Sequence, residues 1–100
     1  MNALDDVVAD VKAMTEAAGA NLQANPHDPQ TLREMIEAMD AVKAVLFTAA
    51  ETASLEGCKL LAAMHQNVES VQSQVVSHLH EVEIDLKAKA ILALGTKTLH

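Results

Sequence analysis

The sequence predicts an all-α fold: an antiparallel helical hairpin with a long second helix that either continues or breaks near Gly57 into a three-helix bundle. Three observations carry this reading. Larger apolar residues recur at three- and four-residue spacing, forming coiled-coil-like seams. The only two prolines stand close together, at Pro26 and Pro29. Half of the residues are apolar, yet Phe47 is the single aromatic, so a core must come from Leu, Val, Ile, Met and Ala. At 100 residues the chain fits one domain, with a thin core that partners could complete.

Residues 3–24 place Leu4, Val7, Val8, Val11, Met14 and Leu22 on one helical face, with Ala17 and Ala18 between them. Asp5, Asp6 and Asp10 fall in the first turns, where acids favour the helix dipole, and Asn2 is a suitable N-cap. Residues 25–30 then break the pattern. Neither Pro26 nor Pro29 can donate a backbone hydrogen bond, and each restricts the residue before it. Asp28 is a good N-cap and Pro29 suits the first helical position, so an antiparallel helix should start there.

The second helix, about 30–56, presents Leu32, Met35, Ile36, Met39, Val42, Leu46, Ala49 and Ala53. Small residues dominate from Thr48 to Cys58 and the apolar register slips. A lone Gly costs only about 1 kcal/mol in a helix, which favours continuity through Gly57; Ser54 as the cap of a new helix is the alternative. The segment 58–94 carries Leu61, Met64, Val68, Val71, Val75, Leu79, Val82, Leu86 and Ala90, with Gln72 assigned to the polar face. Gly95 is the expected C-cap, Lys87, Lys89 and Lys97 suit the negative end of the dipole, and Thr96–His100 should fray.

A helix from Pro29 to Leu94 would be roughly 100 Å long against roughly 30 Å for the first. Either the chain folds back, or other chains cover the exposed seam.

The net charge of −7 is concentrated in the first half. Without a basic stripe or stacking aromatics, nucleic-acid binding is disfavoured. No apolar run reaches the roughly 20 residues of a membrane span, and the acidic amino terminus does not read as a cleavable signal. A cytoplasmic location, or export without a cleaved signal, is therefore expected. Cys58 stands alone, and the expectation is a small buried residue rather than a disulfide.

The stretch Asn21-Leu22-Gln23-Ala24-Asn25-Pro26-His27-Asp28-Pro29-Gln30-Thr31-Leu32, followed by a helix containing Met39, resembles the hairpin turn of type III secretion needle subunits. Pro26 and Pro29 match the two prolines of that turn, and Asn25, Asp28 and Leu32 match commonly accompanying positions. The resemblance covers residues 15–50 and implies a helical hairpin that assembles with other copies. The chain departs from that family in lacking the tyrosines after the turn and in continuing well beyond Met64.

Chemistry is sparse. His65, His78 and His80 do not share one helical face, and no histidine pair has the i, i+4 spacing of a helical zinc site. His78, Glu81 and Asp85 could form only a weak or partner-completed site; His27 and His100 should be exposed. Cys58 and His65 lie about 10 Å apart along a continuous helix, too far for a nucleophile and its base. Glu34 with Glu37, and Glu81 with Asp85, read as solvated helix faces, and Gly19, Gly57 and Gly95 form no phosphate loop. No catalytic, cofactor or metal site is predicted.

The expectation is a non-enzymatic structural or interaction protein, a homo-oligomer or a component of a secretion apparatus. Leu32, Met35, Met39, Val42 and Leu46 should pack against Val8, Val11 and Leu22, while Val68, Val71, Val75, Leu79 and Val82 form a free or oligomeric seam. Two alternatives are a small adaptor or chaperone with a Met-lined groove for a partner helix, and a ligand or metal site between helices.

Overall fold

The computed structural model describes residues 3–98, with side chains from Leu4 to Gly95, and contains three α-helices. α1 spans Ala3–Ala24, α2 Pro29–Ala50 and α3 Leu55–Thr98. The cap expected at Asn2 and the exposure expected of His100 lie outside the described residues.

α1 directs Leu4, Val7, Val11, Met14, Ala18 and Leu22 inward. Val7 rather than Val8 takes the core position, because the 4-7-11-14-18 row keeps one face of a 3.6-residue helix. The helix ends before Pro26. At the start of α2 the Asp28 carboxylate accepts the Thr31 hydroxyl at 2.8 Å and the Thr31 N–H at 3.1 Å. Pro29 occupies the first turn, where its missing N–H costs nothing. The Thr31 hydroxyl and then its N–H hold the Asp28 carboxyl below its ordinary pKa of 3.8.

Of the two readings near Gly57, the chain forms the one in which Ser54 caps a new helix, with Gly57 itself inside that helix. α2 stops at Ala50, residues 51–54 turn, and α3 starts at Leu55. Glu51 N–H donates to Thr48 O at 3.2 Å, closing the end of α2. Ser54 Oγ accepts the Gly57 N–H at 3.1 Å, and Ser54 O accepts the Cys58 N–H at 2.8 Å, so Ser54 caps α3. Gly57 is buried against this turn; a Cβ there would lie 3.2 Å from Ala53 Cβ and 3.3 Å from Ser54 Oγ. The turn returns α3 along α2, which buries Leu46 with Leu61.

Gly95 does not end α3. The helix runs through Thr98, and no described glycine has the positive φ of a left-handed cap. One glycine costs a helix about 1 kcal/mol, too little to terminate it by itself. Residues 96–98, read from the sequence as a tail, belong to the helix.

α2 packs against both other helices. One core cluster joins Val11, Val42, Leu46 and Leu61 near the α2–α3 turn; a second joins Leu32, Met35, Met39 and Val75 nearer the proline turn. Val68 packs against both. The helices differ in length, with 22 residues in each of α1 and α2 and 44 in α3. At 1.5 Å per residue that is about 33 Å against about 66 Å, so the distal end of α3 must project. The Cα extents are 69 × 21 × 14 Å, and the unequal short axes describe a bundle opened on one side.

Candidate interaction surface

The residues expected at the interface separate into three settings. Leu32, Met35, Met39, Val42 and Leu46 are all buried within the chain. Of the second row, Val75 is 6 % exposed, and Val68, Leu79 and Val82 are partly buried against the same cluster. Val71 alone of the ten is largely open, at 42 %. α2 thus covers most of the α3 seam, and a Val75→Asp substitution would place a charge in the core as well as in any interface.

Gln72 is where the residue pattern misled. Read as surface, it is 8 % exposed, and its amide donates to Ile36 O at 3.0 Å and Asp40 Oδ1 at 2.7 Å. The signal was present: 68, 72, 75, 79, 82 is a heptad row, and Gln72 is its one polar member. Its amide bond, opposed by partial desolvation and aided by Lys43 at 3.5 Å, lowers the Asp40 pKa from the ordinary 3.8. A buried polar residue in an apolar seam fixes the register of α3 on α2.

Between α1 and α3, above α2, lies an apolar groove of about 140 Å³. Met14, Thr15 and Ala18 line it from α1, Met39 and Val42 form its floor, and Val68 and Val71 close it from α3. Methionine fits here because its unbranched thioether adapts to varied apolar shapes.

The third setting is the distal end of α3. The proline turn meets α3 through Pro26 O, which accepts the His78 Nε2–H at 2.9 Å, and Arg33 pairs with Glu83 at 3.0 Å. His27 shares a hollow with Val82, Leu86 and Lys89. Farther along, Ile91 is 70 %, Leu92 71 % and Leu94 63 % exposed. Three large aliphatics within four residues make an unusual solvent face.

The chemical candidates are placed without convergence. The His27 and His78 rings meet at a tilt of 52° with centroids 5.3 Å apart, and both belong to contacts of the proline turn. Glu81 and Asp85 border the same hollow, but among the described residues no three His, Cys, Asp or Glu side chains form a metal-binding group. Cys58 is half-buried and its thiol donates to Ala50 O at 3.3 Å rather than to His65. Among the described residues no helix is long and apolar enough to cross a membrane.

Comparison with protein families, curated proteins and solved structures finds no match to this chain.

Proposed function

We propose that this chain is a non-enzymatic structural and interaction protein that self-associates or assembles with other helices. The observation that carries the reading is the distal end of α3, where Ile91, Leu92 and Leu94 are offered to solvent beyond the proline turn. Aliphatic exposure on that scale is stabilised by covering it; Phe47 and Leu55 at the α2–α3 turn are exposed too, at 71 % and 74 %, but the distal end groups three large aliphatics within four residues. A secretion apparatus is the assembly class suggested by the Pro26–Pro29 turn; that part of the reading rests on the resemblance alone.

The Met14–Met39 groove favours a second reading, an adaptor or chaperone that holds the apolar face of a partner helix. Light scattering across a concentration range, with helicity followed in parallel, tests the first reading. A molar mass that rises with concentration is expected. A helical monomer at every concentration would remove self-association and leave the adaptor, which should then bind an amphipathic helical peptide through Val71 and Met39.

A further inference from the structure

The geometry points to a specific mode of self-association: the distal end of α3 in one copy docks against the acidic α1–α2 hairpin of a second copy, in the groove floored by Met39. This inference rests on the self-association reading and names its two surfaces.

The first argument is the distribution of apolar residues. From Leu86 to Leu94 only Lys87 and Lys89 interrupt Leu, Ile and Ala. At 100° per residue, Leu86, Ile91, Leu92 and Leu94 point in four different directions, so this segment has no single apolar stripe. A helix that is apolar all round is one that becomes enclosed. One partner helix covers a single stripe, whereas a groove between two helices covers more.

Charge selects the partner. Residues 86–98 hold Lys87, Lys89 and Lys97 and no acid, with Lys89 paired to Asp85 at 2.9 Å, so that Lys87 and Lys97 carry the excess positive charge, while residues 3–50 hold eight acids and three bases. Two distal ends laid together would oppose like charges; a distal end on the hairpin brings opposite ones together. The groove supplies matching chemistry through Met14, Ala18, Met39 and Val71. The same chain cannot fill its own groove. Within the uninterrupted α3, Ile91 lies about 30 Å along the axis from Val71, which lines the groove. Exchange between two copies would close a dimer, and one-way docking would extend a filament.

Trans disulfide trapping tests the arrangement in a Cys58→Ser background. Chains carrying Ile91→Cys are mixed with chains carrying Thr15→Cys, both at exposed positions, and molar mass is measured before oxidation. Under oxidation the 91–15 linked dimer should be the main product. Lys87→Glu with Lys89→Glu should weaken association about tenfold, and added salt should weaken the parent chain. An oligomer giving only 91–91 links, or none, overturns the docking mode and leaves self-association standing. A monomer at every concentration overturns both. A monomer whose distal end binds anionic lipid vesicles also overturns the inference, assigning the basic apolar end to a membrane surface.

Discussion

The two parts of α3 use the same residue types in opposite environments. Near its start Leu61 is 2 % exposed, packed with Leu46 and Val42 beneath α2; near its end Leu92 is 71 % exposed. Both lie in one helix, and helix propensity does not distinguish them. What separates them is cover: α2 is half as long as α3, so the seam outruns its partner. Burial is thus a property of helix pairs, and the overhang, like Phe47 and Leu55 at the opposite end of the bundle, is a place where this chain has apolar surface to offer.

The largest test of this contrast is a matched pair of truncations. Leu61→Ala should destabilise the bundle by about 2–5 kcal/mol, whereas Leu92→Ala should change it by less than about 0.5 kcal/mol. Urea unfolding of the monomer followed by helicity measures both; equal losses would mean that the distal end is packed within the chain. Gln72→Ala should cost about 1 kcal/mol, since the Asp40 carboxylate regains water and the Ile36 carbonyl lies within a helix. A loss larger than that of Leu61→Ala would show that register, and not apolar area, dominates the packed part.

Glycine substitutions sharpen the comparison with a smaller effect. Gly95→Ala should stabilise the helix by about 0.5–1 kcal/mol, because a methyl there meets nothing within 4 Å. Gly57→Ala should gain less than Gly95→Ala in melting temperature, because its Cβ would meet Ala53 Cβ at 3.2 Å and Ser54 Oγ at 3.3 Å and both must give way. The smallest effect is pH dependence at the proline turn. The Asp28 pKa is lowered by folding, so its contribution is present at neutral pH and is lost as pH falls below 3.8 through the lower folded value. Asp28→Asn keeps the cap and should flatten that part of the acid-unfolding profile, while Asp28→Ala should lose the cap at every pH.

Much of the fold was legible because helical periodicity is a local property. The boundaries of α1, the Pro26–Pro29 turn, the Asp28 cap and the rows through Leu32–Leu46 and Leu61–Val82 follow from spacing and from the missing N–H of proline. Helix boundaries near glycine were less legible. Gly57 marks a close approach just inside α3, and Gly95 sits in a helix that continues. Composition around a glycine does not reveal what its missing side chain makes room for. Gln72 is polar by type but sits at a heptad position, and it is buried only because Ile36 O and Asp40 on the facing helix accept its amide. The interaction surface was less legible still: Met14, Met39 and Val71 belong to three different helices and share a groove only once the bundle is assembled.

By itself, then, the sequence determined the helical character, the proline turn, the inward faces and the charge imbalance between the first half and the lysines of the last segment. Each of these depends on residues within one or two helical turns, or on composition alone. The tertiary structure decided where α3 begins, that α2 rather than another chain covers most of its seam, and that the seam outlasts its cover. Those outcomes depend on the relative lengths and register of separate helices, set by Leu46 meeting Leu61, Gln72 meeting Ile36 and Asp40, and Arg33 meeting Glu83.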